Sequence, residues 1–205
     1  MTSTTFEGIT ISSQFIGIGK RLSTDGHSSI FRMLFPKYSV TINNETFEYS
    51  QSARYLADAI GVKRGCIYET TYKHHTTGAL KSEIYIDSGP YTRNTAHNTA
   101  SKIFPNRTTT INDIHNKFAQ SKACELPEKE LLYELRAILE DALVGFEYFT
   151  PGEFGKEFGY EDIDECIRIF NVCNQTRVKL RLSETKIHEV LNKLSEKGIE
   201  WNIYL

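Results

Sequence analysis

The sequence predicts an α+β protein: an N-terminal mixed α/β domain carrying a helix-turn-helix with a candidate wing, then a mainly helical C-terminal domain with a small terminal sheet. Three observations lead there. Two-residue alternation of apolar side chains, the mark of a half-buried strand, is concentrated in the first half, as in Val40/Ile42 and Ile84/Ile86. Apolar residues at spacings of three and four, the mark of an amphipathic helix, dominate the second half. Charge changes sign between them. Residues 1–110 hold 12 Lys+Arg against 8 Asp+Glu, and residues 111–205 hold 12 against 18. The loop-forming run Pro105–Thr110 coincides with that change and sets an expected boundary, with domains at 1–105 and 106–205.

Taken in chain order, Phe6–Thr10 and Phe15–Ile18 read as short strands or loop. Ser28–Leu34 reads as a short helix stopped by Pro36. Tyr38–Tyr49 reads as a β-hairpin turning on Asn43-Asn44, residues that tolerate a left-handed backbone. Residues 50–72 read as two helices broken at Gly61, and Leu80–Ile86 as a strand ended by Gly89-Pro90. Thr92–Phe104 is a polar helix candidate. A helix opened by Thr110 follows, and then a longer one that starts at Pro127, where a missing N–H costs nothing. Leu131, Leu132, Leu135, Ile138, Leu139, Ala142 and Leu143 form its apolar stripe, expected to hold a second copy or another partner. Helices over Pro151–Phe158 and Glu161–Val172, a strand over Arg177–Leu182, a helix capped by Ser183 and ended by Gly198, and a strand over Glu200–Tyr204 complete the reading.

The segment Ala53–Tyr68, ARYLADAIGVKRGCIY, resembles the helix-turn-helix of phage repressors and other bacterial regulators. That motif needs a small residue where its helices cross, and Ala57 supplies it. Four residues on it needs a residue that accepts positive φ, and Gly61 supplies that. Leu56, Ile60, Val62 and Ile67 fall at its apolar positions, and Ser50 or Ser52 caps the first helix. The resemblance implies a second helix in the major groove, presenting Lys63, Arg64, Gly65, Tyr68, Glu69 and Thr71. Arginine bonds a guanine edge twice, and lysine bonds a guanine edge or a phosphate. The stretch Lys73, His74, His75 through Lys81 surrounds a Thr-Gly turn and is the candidate wing. Arg93 and Lys102 add candidate backbone contacts, with Tyr91, Thr92, Asn94 and Ser101. A helix-turn-helix inside an α/β module also resembles the DNA-binding parts that accompany phage homing endonucleases, and the phage-derived regulators of KilA-N type. Residues 38–90 carry that resemblance. It implies a sequence-specific, double-stranded DNA-binding transcriptional regulator of phage or mobile-element type, a repressor, acting as a homodimer on a two-fold site.

Two other function classes remain open. His75, Asn94 and His97 or Asn98 fall in a strand–strand–helix order that resembles the H-N-H nucleases, although no aspartate–histidine pair precedes them. Ile67-Tyr68 and Tyr85-Ile86 resemble the paired motifs of GIY-YIG nucleases, with Cys66 and Asp87 in place of the glycines and a longer gap. The third class is a protein-binding module, such as a host-takeover factor, whose helical hairpin never meets DNA. No P-loop, dinucleotide-binding glycine pattern or serine-nucleophile elbow occurs, so no cofactor, small-molecule substrate or enzymatic activity is expected. Cys66, Cys124, Cys166 and Cys173 lack zinc-site spacing and read as reduced thiols, with Cys166 and Cys173 on one helix face. The acids Glu161, Asp162, Asp164 and Glu165 read as a helix start rather than a metal site. No apolar run spans a membrane and no secretory leader opens the chain, so a cytoplasmic location is expected.

Overall fold

A computed structural model describes residues 1–22, 30–62, 65–87, 110–160 and 162–200. Among these, the strands are β1 (Thr2–Phe6), β2 (Ile9–Leu22), β3 (Ile30–Ile42), β4 (Glu45–Ser50), β5 (Cys66–Lys73) and β6 (Leu80–Asp87). The helices are α1 (Ala53–Ala59), α2 (Ile111–Ala119), α3 (Glu128–Glu147), α4 (Pro151–Phe158), α5 (Ile163–Leu180) and α6 (Glu184–Glu196), with a 3-10 turn at Lys122–Cys124. The chain is thus an α+β protein. The sheet runs β1-β2-β3-β5-β6, and β4 pairs with β3.

Two hairpins have two-residue turns with both residues at positive φ, the geometry that matches the natural twist of paired strands. Asn43 and Asn44 lie at +47° and +72°, as expected from the sequence. Glu7 and Gly8 lie at +48° and +79°, so the segment Phe6–Thr10, open to strand or loop from the sequence, holds both: the end of β1, a turn and the start of β2. Ile30–Leu34 belongs to β3 and is not helical. Buried Pro36 sits inside that strand, and its carbonyl accepts from the Gln51 N–H at 3.0 Å. The alternation of Leu34, Pro36, Tyr38, Val40 and Ile42, all buried, explains why extended backbone wins there.

The chain forms two compact units that interleave in sequence and do not divide at 105. One holds Met1, 14–39 and 48–125, and the other holds 2–13, 40–47 and 126–205. In the first unit, α1 is capped by Ser52, whose hydroxyl accepts from the Tyr55 N–H at 3.1 Å. Leu56, Ala57, Ile60, Val62 and Ile67 are all buried there with Leu34, Tyr38, Ile86, Ile114 and Phe118. Phe15 lies 4.9 Å from Phe118 and 5.9 Å from Tyr38, ring to ring. The Tyr38 and Tyr55 hydroxyls both donate to the Ala123 carbonyl, at 2.9 and 3.1 Å. Burial, and then neighbouring Tyr55, hold the Tyr38 phenol well above its ordinary pKa. Thr110 opens α2 with a reciprocal cap to Asp113, as expected.

Strand β2 changes its facing part-way. Phe15 meets Tyr38, on the inner face of β3, whereas a Cβ at Gly19 would sit 2.4 Å from the ring of Phe35, on the opposite face. Two-residue alternation cannot satisfy both, so the strand slips by one residue between them. Gly17, at φ +144°, is where the backbone accommodates the slip. Lys20 is thereby turned to the inner face.

In the second unit, Ile9, Ile11, Val40 and Ile42 are buried with Leu131, Leu132, Leu135, Ile138, Leu139 and Ala142 of α3, and with Ile187, Val190 and Leu194 of α6. The α3 stripe expected to hold a partner is therefore core. Gly145 brings α3 against α5: a Cβ there would lie 3.0 Å from the Cys173 carbonyl oxygen. Arg136 donates to Ser195 Oγ at 2.9 Å and to the Ile199 carbonyl at 2.8 Å. Helix α5 runs through Leu180, so the strand expected at Arg177–Leu182 is its last turn and C-terminal cap, with Arg181 at φ +53°. Its buried positions Cys166, Phe170, Cys173, Thr176 and Leu180 hold helical spacing, which overrides the short Val-Lys-Leu-Arg-Leu alternation. Gly198 ends α6 in the left-handed region, as expected. Expectations for Thr92–Phe104 and for the terminal strand beyond Glu200 lie outside the described residues.

Candidate nucleic-acid interface

The helix-turn-helix does not form. Helix α1 and the turn at Gly61, at φ +94°, occur where the motif needs them, with the Val62 N–H donating to the Ala57 carbonyl at 2.8 Å. The chain then enters strand β5 instead of a second helix. Ile67, Tyr68, Thr70, Thr71 and Tyr72 are β-branched or aromatic, the residues that favour a pleated surface and lose side-chain freedom in a helix. Ile67 still enters the core, as the motif demands, but from an extended backbone.

Strand β5 lies between β3 and β6, antiparallel to both, and β6 is the last strand of the sheet among the described residues. Its register places Ile67 opposite Ile86, Tyr68 opposite Met33 and Tyr85, and Glu69 opposite Arg32 and Ile84. The expected DNA-contact residues therefore separate into different environments. Glu69 is buried, and its carboxylate meets Lys20 Nζ at 2.7 Å, so it does not face a groove. The Thr71 hydroxyl lies 3.2 Å from Ser82 Oγ across the hairpin. Tyr68 is half-buried in β5, and Gly65 is half-buried in the loop before it. Lys73 closes β5 opposite Leu80, and Lys81 follows in β6 opposite Tyr72. Lys63, Arg64 and Arg93 lie outside the described residues.

His74 and His75 form the start of the connection between β5 and β6, their rings stacked with centroids 5.1 Å apart. The His74 N–H donates to the Ala79 carbonyl, and the Gly78 N–H donates back to the His74 carbonyl, both at 2.8 Å. Gly78 adopts φ +65°, which closes this tight turn. The expected wing is thus a β-hairpin whose connection is braced by its own backbone. His75 and residues 76–80 are exposed.

Two arginines outside every sequence motif join this unit's surface. Arg32 is exposed on β3 beside the register position of Glu69. Arg21 is exposed on β2, with its guanidinium 5.9 Å from the centre of the Phe35 ring. Charge is also more polarised between the two compact units than between the two halves of the sequence. The unit that holds the hairpin has 14 Lys+Arg and 8 Asp+Glu, a balance of +6, and the other unit has 10 and 18, a balance of −8.

For the nuclease readings, His75 lies in the hairpin connection, while Asn94, His97 and Asn98 lie outside the described residues. Among the described residues no group of three or more His, Cys, Asp or Glu side chains is placed to hold a metal ion. The acidic run at the start of α5 is a cap: Asp162 accepts from the N–H groups of Asp164 and Glu165. Cys166 and Cys173 are buried on the inner face of α5. No described helix is long and apolar enough to cross a membrane. No family model, curated protein or solved structure matches the chain.

Proposed function

We propose that the protein is a double-stranded DNA-binding regulator in which the β5–β6 hairpin, rather than a recognition helix, approaches the DNA. The observation that carries this reading is the charge partition: the unit containing the hairpin has a balance of +6 in a chain whose net charge is −2. A unit with that net charge attracts a phosphate backbone, whereas the acidic unit is repelled by it. A two-stranded ribbon has the width to enter the major groove. Lys73, His74, His75 and Lys81 occupy neighbouring positions in the chain at the connection end of the hairpin, and Arg21 and Arg32 are exposed on β2 and β3. Activity by occupancy of a DNA site, with repression as its simplest output, requires no reaction centre.

The test is binding to random-sequence and selected duplexes across a salt series. Arg21→Ala/Arg32→Ala and Lys73→Ala/Lys81→Ala are each expected to weaken binding and to flatten the log-log salt slope, by about 0.9 for each phosphate that is no longer neutralised. Lys186→Ala, in the acidic unit, is expected to bind as wild type. No duplex binding at low salt, or binding by both double variants equal to that of wild type, overturns the reading.

A further inference from the structure

We infer, on the DNA-binding reading above, that Leu80 reads thymine: at the connection end of the β5–β6 ribbon its side chain packs against the C5-methyl group of a thymine in the major groove. Directly opposed residues of antiparallel strands share a face, so the register makes a ladder along the core side of the ribbon. Its rungs are Ile67/Ile86, Glu69/Ile84, Thr71/Ser82 and Lys73/Leu80. Exposure rises along it. Ile67 and Ile86 are 0% and 2% exposed, and Glu69 is 8% exposed beside half-buried Ile84. Thr71 is half-buried beside exposed Ser82, and Leu80 is 77% exposed. The core therefore covers the base of the ribbon and ends before its tip, and Leu80 stands on the apolar face where there is no core left to enter.

A single exposed leucine is ordinary, but the surroundings of this one are not. Between Glu69 and Glu83 the ribbon holds two lysines, two histidines and no acid. Lys73 is the cross-strand partner of Leu80, and Lys81 is the next residue. Residues of that composition attract a polyanion. The connection is also braced by its own hydrogen bonds. Besides the His74–Ala79 and Gly78–His74 backbone bonds, the Thr77 hydroxyl accepts from the Ala79 N–H at 3.4 Å and lies 3.3 Å from His74 Nδ1. A tip held in this way loses little freedom on docking, so ordering does not cancel a small contact made there.

The major groove offers one match to an apolar side chain carried in by a ribbon. Base edges there present hydrogen-bond donors and acceptors, and thymine alone adds an apolar group, its C5-methyl. Lysines beside the leucine can serve phosphates or guanine edges, which are polar. Leu80 gains only where it removes methyl surface from water. The minor groove carries no methyl, so the same contact fixes which groove the ribbon enters.

The test uses full-length protein and a duplex that it selects from a random library. Each thymine is replaced in turn by uracil, which lacks only the methyl. At one thymine at least, the wild type is expected to bind the uracil duplex about fourfold more weakly, the value of one buried methyl group. Leu80→Ala should bind the thymine and uracil forms alike at that position, with unchanged circular dichroism. Leu80→Met, which keeps an apolar side chain of similar reach, should retain the preference, as should Lys186→Ala in the acidic unit. No duplex binding at low salt overturns the DNA-binding reading and the role of Leu80 with it. Binding that no uracil substitution weakens, or a thymine preference that Leu80→Ala keeps in full, overturns the role of Leu80 and leaves DNA binding in place.

Discussion

Lys20 Nζ and Glu69 Oε2 lie 2.7 Å apart, between strands β2 and β5, with the carboxylate side chain only 10% exposed. The pair exists because Gly17 lets β2 slip and turns Lys20 inward. It also fixes where β5 stands, since a buried carboxylate needs a cation and cannot at the same time face DNA. Lys20→Met should lower stability by about 2 kcal/mol, less than for a fully buried pair because the lysine keeps contact with water. Glu69→Leu alone strands a partly exposed ammonium and should cost less. The double variant should lie close to wild type, because neither charge is then left alone. Additive losses in the double-mutant cycle would show that the pair does not act as a unit.

Arg136 joins α3 to the end of α6 through Ser195 and the Ile199 carbonyl, and its Nε lies 2.8 Å from Glu140. Methionine at this position keeps the apolar stem but leaves that carbonyl and that carboxylate without the guanidinium. The expected loss is about 2 kcal/mol in urea unfolding, in the range for hydrogen bonds to charged groups. Lysine has one compact ammonium and cannot span all three partners, so Arg136→Lys should recover less than half of the loss. Full rescue by lysine would mean that charge alone matters at this position.

Much of the fold is legible in the sequence wherever a local rule and burial agree. Thr110, Ser183 and Gly198 mark helix ends through caps that need only their immediate neighbours, and Asn43-Asn44 marks a hairpin in the same way. Leu131 to Ala142 reads correctly as a buried helix face, but not what buries it: β-strand residues such as Ile9 and Val40 are more than 80 positions away in sequence. The segment after Gly61 fails for a different reason. Apolar residues at Val62 and Ile67 satisfy a helix-turn-helix and also a strand that enters the core, and their spacing cannot separate the two. The β-branched and aromatic content of Ile67 to Tyr72 does separate them, and it is the signal that the apolar spacing masks. Of the candidate site, the hairpin connection at His74 to Gly78 is legible as a turn. The burial of Glu69 is not, because it depends on a slip in a strand about 50 residues earlier.

Gly145 is the point of closest approach between α3 and α5. Its missing side chain would meet backbone, the Cys173 carbonyl oxygen at 3.0 Å and Asn174 Cα at 3.2 Å, so no rotamer change relieves a substitution. Alanine improves helix propensity by about 1 kcal/mol and offsets much of the strain it introduces. Valine brings further methyl groups and a poorer helix propensity. Gly145→Val should therefore lose about 2 kcal/mol, in the range for overpacking, and Gly145→Ala clearly less. Equal stability of the valine variant and wild type would show that the helices separate freely at this position.

The cysteines should divide by reactivity along the same packing. Burial pushes the Cys173 thiol up to about 11, and the Asp141 charge adds to the shift. At pH 8 that leaves roughly one thiolate in a thousand, and the thiolate is the species that alkylates. Cys166 is 1% exposed, and its thiol donates to the Pro151 carbonyl at 3.0 Å. Cys66 and Cys124 are half-buried and carry no comparable barrier of access. Brief treatment of native protein with iodoacetamide at pH 8, followed by peptide mass mapping, should label Cys66 and Cys124 well before Cys166 and Cys173. In denaturant all four should react at similar rates, because the difference lies in the folded state. Gly155→Ala supplies a control on the cause: its Cβ would come 2.9 Å from Cys166 Sγ, so the substitution must displace that thiol or the helix carrying it. Faster labelling of Cys166 in that variant, with Cys173 unchanged, would locate the protection in the contact between α4 and α5. Early labelling of Cys173 in the native wild type would contradict its placement in the core.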